Sequence, residues 1–278
     1  MSWWLEACKV PSAEMKQQAE ERQSQLTKPT GSLAALENVA VQLASLQNNP
    51  KPQLEHPWIT IFAGDHGVMA ENVSAYPQAV TRQMLQNFAT GGACISVIAK
   101  EYAATLQVID CGTVGDAYEY QGVERHCIAT KEQAKTLQNK LAMTEEQCAP
   151  SYGFRTDVFK ALCAVGGLEI AAMTGAYIRC AQVGLAVIVD GFISSVAALV
   201  AVQLNPAVRQ WMLFGHQSAE YGHLRILQEL NADPLLKLNL RLGEGSGAGA
   251  SLGVIKLACS LHNNMATFAE AAVIGEKV

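Results

Sequence analysis

Four short apolar runs each stop at a polar residue or a glycine, and that recurrence most narrows what this chain can fold into. Trp58 to Ala63 ends at Gly64-Asp65-His66-Gly67, and Leu106 to Ile109 ends at Asp110-Cys111-Gly112. Leu185 to Val189 ends at Asp190-Gly191, and Trp211 to Phe214 ends at Gly215-His216. Continuous runs of this length read as strands buried on both faces, with the polar stop marking where each strand emerges. Between and after them lie helical stretches: Val80 to Phe88, Gly92 to Lys100, Phe192 to Leu204, Ala219 to Asn231 and Gly247 to Asn263. Such alternation implies an α/β protein with a doubly wound, mostly parallel sheet flanked by helices, whose ligands bind beyond the carboxyl ends of the strands. The rule gathers Asp65, His66, Asp110, Asp190, His216 and Glu244 along one edge.

Ahead of this pattern, Ser12 to Gln47 reads as helices interrupted at Lys28-Pro29-Thr30-Gly31-Ser32, with Leu33, Leu36, Val39, Ala40, Leu43 and Leu46 on one helical face. The rhythm fails near Thr144 to Thr156, where one helix-like stretch runs into the next without a strand between. Ala181 to Gln203 is the most apolar segment, but Asp190-Gly191 interrupts it, so it reads as strand then helix rather than a membrane span.

Composition excludes some partners. With 278 residues, a net charge of −5 and a pI near 5.7, the chain has no general attraction for nucleic acid or an anionic membrane. An anionic ligand must therefore be held by local donors. The cysteines are dispersed without a C-x-x-C pair and read as reduced thiols, and the N-terminus lacks the basic-then-apolar pattern of a secretion signal. The cytoplasm is the expected compartment.

Among candidate sites, Arg241-Leu242-Gly243-Glu244-Gly245-Ser246-Gly247 sets a carboxylate between glycines just before a small-residue helix. This suits a general base at a helix N-terminus, although a solvated turn glutamate is the more ordinary reading of the loop alone. Asp65-His66 offers two metal-ligand types, but one adjacent pair is too little for a metal site and fits a strand-end turn better. Gly91-Gly92 and Gly166-Gly167 each precede an apolar helix and read either as phosphate cradles or as close-packing devices. Ser218 reads as an N-cap, or as a hydroxyl available to phosphate or ribose. Cys259 and His262 read as core packing. No nucleophile elbow at a strand-to-helix turn, no G-x-G-x-x-G after a strand and no P-loop is present, and no cofactor is called for.

Several blocks together resemble the nicotinate-nucleotide:dimethylbenzimidazole phosphoribosyltransferase family. They are Lys28-Pro-Thr-Gly-Ser-Leu33 with Leu36-Glu37, Phe62-Ala-Gly-Asp-His-Gly-Val68, Tyr76-Pro-Gln78 onward to Gly91-Gly92-Ala93, Val165-Gly-Gly-Leu-Glu-Ile170, Asp190-Gly-Phe-Ile-Ser-Ser195, Phe214-Gly-His-Gln-Ser-Ala-Glu220 with Gly222-His223, and Arg241-Leu-Gly-Glu-Gly-Ser-Gly-Ala248. They occur in the family's order. The resemblance implies transfer of phosphoribose from nicotinate mononucleotide to a benzimidazole base, with Glu244 as general base. It places Tyr76, Met84 and Leu242 near the aromatic base and Ser218 near the nucleotide. Asp65, Asp190, His216 and Gly243 complete the expected substrate-binding set. It also implies a homodimer, and a single domain over 1–278 in which a small helical lobe, about 1–50 plus the C-terminal helices, adjoins an α/β core at about 57–250.

One departure is large. The family carries a strand, a G-E-[ML]-G-x-x-N-T-T loop, a helix and a basic segment between the positions matching Gln147 and Asp157, and this chain has none of them. That block supplies most of the family's phosphate site, a second acidic residue and a lysine. Two readings stay open from sequence: the phosphoribosyltransferase itself, or a non-catalytic relative that retains the aromatic-base pocket.

Overall fold

A computed structural model describes residues 2–115, 120–125 and 157–274. The rhythm break at Thr144 to Thr156, Cys127 and Cys148 lie outside the described residues. The first part of the chain forms α1 (Ala13–Gln25), α2 (Ala35–Gln47), β1 (Trp58–Gly64), α3 (Ala79–Thr90), α4 (Cys94–Glu101), β2 (Thr105–Gly112) and β3 (Val123–Arg125). The second part forms α5 (Val158–Val165), α6 (Leu168–Val183), β4 (Val187–Val189), α7 (Phe192–Leu204), β5 (Met212–Phe214), α8 (His223–Glu229) and α9 (Ser246–Asn264).

Strand pairing is parallel throughout, in the order β1-β2-β3, with β4 and β5 forming a separate parallel pair. Parallel strands need helical crossovers, and the helices between them cover the faces. β1 and β2 keep register from Trp58 opposite Thr105 to Ala63 opposite Asp110, then slip so that Gly64 pairs with Gly112. This bulge turns the strand end, and the Asp65 amide donates to the Gly112 carbonyl at 3.0 Å.

Apolar packing divides along the same line. One core holds β4, β5 and the inner faces of α2, α6, α7 and α9, including Val39, Ile178, Val189, Ala198, Phe214 and Ile255. A second lies under β1 and β2, where Leu85 and Phe88 of α3 and Ile95 of α4 meet Ile61 and Val108. Of the helical face expected from Leu33 to Leu46, Val39, Ala40, Leu43 and Leu46 are buried and Leu36 is partly covered, whereas Leu33 lies ahead of α2 in the turn that precedes it.

The two ends of the chain meet. Arg22 donates to the carbonyls of His262, Asn263 and Met265 at 2.6 to 3.2 Å, and Leu26 bridges Thr267 in antiparallel fashion. His262 is buried, bonded to Gln23 at 2.9 Å and to the Pro50 carbonyl at 3.0 Å, while Cys259 lies in the larger core. Both are packing residues, as expected. Lys28 explains its own sequence block: its ammonium is buried 2.8 Å from Glu37, whose Oε1 also accepts from the Leu33 amide at 2.8 Å. Burial pushes the Glu37 carboxyl up, but Lys28 and the Leu33 amide more than offset it and the net shift is downward. Among the described residues, no helix is long and apolar enough to cross a membrane.

Candidate active site

The carboxyl ends of β4 and β5 receive the start of α9, and small residues make that approach possible. A Cβ on Gly215 would stand 2.7 Å from the Ala248 Cα, and one on Gly247 would overlap the His216 ring. Only glycine at both positions lets the helix end come this close. The segment leading to α9 runs beside the end of β5: the Leu235 and Leu236 amides donate to Phe214 and Gly215, and Gln217 donates back to Leu236. The chain then turns through Gly243, Glu244 and Gly245, all left-handed at φ 79, 58 and 73°. Ser246 locks the turn by donating its hydroxyl to the Gly243 carbonyl at 2.6 Å.

Glu244 therefore stands at the mouth of α9, half-buried, in a backbone conformation that glycine would adopt more readily. Its carboxylate has no hydrogen-bond or ion-pair partner among the described residues. Burial pushes its pKa above the ordinary glutamate value. A carboxylate that is free, partly desolvated and beside an apolar wall is equipped to take a proton. That wall is the smaller core: Gly245 lies against Ile61 of β1 and Ile95 of α4, and Met84 of α3 packs against the same cluster. Leu242 and Gly243 are exposed on the near side of the loop.

Behind Glu244, Asp190 is buried and its Oδ1 accepts from the Ala248 amide at 2.8 Å. His216, also buried, holds its Nδ1 3.9 Å from the same oxygen. His223 lies beside it, with ring centroids 6.2 Å apart. The Ser218 amide donates to His223 Nδ1 at 2.8 Å, so that nitrogen is an acceptor and Nε2–H must point to Ser195 Oγ at 2.9 Å. Burial first, then the neighbouring His216, depress the His223 pKa to about 4 and keep the ring neutral.

Ser218 departs from expectation. The helix that follows it begins at His223 with Gly222 at the cap position, so Ser218 is not an N-cap. Its hydroxyl instead accepts from the Glu220 amide at 3.2 Å and faces the Glu220 carboxylate and the Leu240 carbonyl at 3.0 and 3.2 Å. Shortly after a strand, an ST-type turn competes with helix start, and here it wins.

A second polar group sits at the ends of β1 and β2. Asp65 is buried, accepts from the Val114 amide at 2.7 Å, and is pushed up in pKa mainly by burial. Asp110 is fully buried and accepts from the Gly112 amide and the Thr113 hydroxyl at 2.9 and 3.0 Å. His66 pairs with Glu169 at 2.9 Å, and this bond raises the His66 pKa against the opposing effect of burial. Glu169 was not among the expected site residues. Its carboxylate occupies the Gly166-Gly167 cradle, where a Cβ on Gly167 would meet both carboxylate oxygens at 2.6 Å. An anion already fills that helix start, so this glycine pair is a packing device. Gly91 has open space beside it and instead ends α3 in the left-handed region at φ 91°. The signal for Glu169 was its position in the first turn after the glycines, where a carboxylate meets the positive end of the helix.

The structure thus brings Asp190, His216, Ser218 and the Glu244 loop together, and separately Asp65, His66, Asp110 and Glu169. Tyr76 is exposed on the loop before α3, tied to the β1 end through Gln78, whose side chain donates to the His66 carbonyl at 3.3 Å. The two groups are linked by apolar contact of the Glu244 loop with β1 and α4.

Fold and site define a parallel α/β protein that presents a free, half-buried carboxylate at its strand ends. A family model described as "Phosphoribosyltransferase" matches residues 8–153 and 149–273. Nicotinate-nucleotide–dimethylbenzimidazole phosphoribosyltransferase of Pseudomonas fluorescens SBW25 is 43% identical, with 98% of each chain covered. The protein of that name from Pseudomonas aeruginosa PAO1 is 42% identical over the same shares. A crystal structure of a nicotinate-nucleotide–dimethylbenzimidazole phosphoribosyltransferase from Thermus thermophilus superposes with a TM-score of 0.82 at 31% identity, covering 95% of this chain and all of that one. The chain belongs to this phosphoribosyltransferase family. The alignment to the P. fluorescens protein runs over 343 positions against 278 residues here, so at least 65 positions have no counterpart in this chain. The two family-model segments overlap at residues 149–153, within the interval from Gln147 to Asp157.

Proposed function

We propose that this chain transfers the 5-phosphoribosyl group of nicotinate mononucleotide to 5,6-dimethylbenzimidazole, giving α-ribazole 5′-phosphate and nicotinate. The observation that carries this reading is the unpartnered, half-buried Glu244 carboxylate, in a chain 43% identical over almost its whole length to a protein named for that activity. One benzimidazole nitrogen attacks C1′, the bond from C1′ to the nicotinate ring nitrogen breaks, and its electron pair returns to that ring. The ring nitrogen was cationic, so the leaving group needs no proton. The proton on the second benzimidazole nitrogen passes to Glu244. Raised proton affinity from burial favours this transfer. The reaction as written calls for no cofactor.

The apolar wall of Ile61, Met84 and Ile95 suits a flat aromatic base, and the exposed Leu242 and Tyr76 are assigned to that base on the family resemblance. For the nucleotide phosphate, α7 offers backbone donors, since Gly191 at its cap position supplies no side-chain cap and Ser218 lies beside it. Gly243 lets the loop turn at φ 79°, Asp65 holds the Val114 amide at the β1 end, and His216 packs beside Gly191 and Gly247. With the family's phosphate block absent, affinity for the mononucleotide should be lower than in the relatives. We further propose that the chain works in the cytoplasm as a homodimer. It forms one domain whose terminal helices make a small lobe, supported by the bonds between α1 and the end of α9.

Incubating the purified protein with nicotinate mononucleotide and 5,6-dimethylbenzimidazole, and following product by chromatography and mass, tests the reading. Formation of α-ribazole 5′-phosphate is expected. Binding of the benzimidazole without turnover would refute it in favour of a binding protein.

A further inference from the structure

α9 begins without a cap of its own. Gly245 stands at its N-cap position and supplies no side-chain cap. The missing acceptor comes from another element: Asp190, at the end of β4, receives the Ala248 amide at 2.8 Å across 58 residues of sequence. Asp190 directly precedes Gly191, the cap position of α7. The His216 ring fills the space between the two helix starts, since a Cβ on Gly191 would come within 3.2 Å of its Cε1 and one on Gly247 would overlap it. Glu244 is rigidly joined to this first turn, because the Ser246 amide and hydroxyl both bond Gly243 and the Gly249 amide bonds Gly245 at 2.8 Å.

From this geometry we propose that Asp190 is a positioning residue for Glu244. By capping α9 from the end of β4, it holds the proton acceptor in a fixed place relative to the strand ends. Its Oδ1 is committed to α9 and the residue is only 7% exposed, so through that oxygen it acts on the helix. The inference rests on the phosphoribosyl-transfer reading above.

The test compares Asp190→Ala with Asp190→Asn by steady-state kinetics and by hydrogen exchange of the peptide spanning 243–250. Removing the cap frees Glu244 to move by a fraction of an ångström or more, and such misplacement lowers turnover by on the order of 10²-fold. In Asp190→Ala, kcat should fall by that order with little change in KM for the benzimidazole, and exchange in the peptide should accelerate. Asp190→Asn, whose side-chain carbonyl still accepts the Ala248 amide, should restore most of both. Asp190→Glu keeps the charge but lengthens the link by one methylene; it should also lower kcat, and it replaces the alanine variant if that one is insoluble. Wild-type kcat and protection in Asp190→Ala would overturn the proposal. So would Asp190→Asn as impaired as Asp190→Ala, or a defect confined to KM for the mononucleotide. A wild type without turnover would overturn the functional reading instead, and the exchange measurement would then decide the tie between Asp190 and α9 by itself.

Discussion

Glu244 should be a residue that weakens the fold while serving the reaction, and replacing it separates the two effects. Its φ of 58° lies in the left-handed region, which costs a residue with a Cβ about 1–2 kcal/mol relative to glycine. Glycine in its place also gains unfolded-state freedom, which takes back roughly 0.4–1 kcal/mol. Glu244→Gly should therefore be more stable by about 1 kcal/mol or slightly less, a rise in melting temperature of roughly 2–4 °C in a chain of this size. Charge adds a separate contribution. Burial raises the Glu244 pKa, so between its ordinary and folded values the folded protein holds the extra proton and stability falls as pH rises; the penalty is complete above the folded value. Glu244→Gln should then exceed wild type in stability at pH 7 and match it below the ordinary glutamate pKa of about 4.3. Both variants should lose turnover by roughly 10²- to 10⁴-fold, with the loss in kcat more than in binding. Urea unfolding at pH 7 and pH 4, run beside a turnover assay, reads all of this. A Glu244→Gly protein less stable than wild type would refute the conformational argument, and a Glu244→Gln enzyme with full turnover would remove Glu244 from the chemistry.

Three further outcomes are expected. The His66 ring should titrate above the ordinary histidine value by nuclear magnetic resonance and fall back in Glu169→Gln; the pair's stabilisation is complete below the unfolded pKa of about 6.5 and is lost as pH rises through the folded value. An unshifted His66 would show that the pair does not form in solution. Gly247→Ala sets a methyl on the His216 ring and should destabilise by about 1–3 kcal/mol in a denaturant titration, whereas Ala250→Gly, one turn on, brings no such overlap. Lys28→Met leaves Glu37 buried without its cation and should lower stability by about 3–5 kcal/mol, and adding Glu37→Leu should recover most of the loss. A double variant as weak as the single one would show that the ion pair is not the source.

How far the sequence could be read depended on the distance over which each feature acts. Strand ends, the Leu36 to Leu46 face and the glycine-flanked Glu244 are set by neighbours a few residues apart, and apolar runs with polar stops record them directly. α7 fell on Phe192–Leu204 as expected, whereas α8, expected to begin at Ala219, starts only at His223 because Ser218 closes a polar turn first. A hydroxyl able to cap a helix is also able to form that turn, and only the surrounding acceptors choose.

What the sequence by itself determined was the class of fold, a parallel α/β sheet flanked by helices, and the glycine-flanked turn that sets Glu244 just before a helix. Periodicity and punctuation are local, so they survive without coordinates. The tertiary structure decided which strand-end residues meet. His66 finds Glu169 and Asp190 finds Ala248 only once strands are stacked and glycines admit the helix starts. A carboxylate written near a pair of glycines does not say whether it leaves that helix start open to phosphate or fills it. Glu169 fills one while pairing with His66, and Asp190 caps another by accepting from Ala248, because packing between distant segments decides which side chain reaches a helix start.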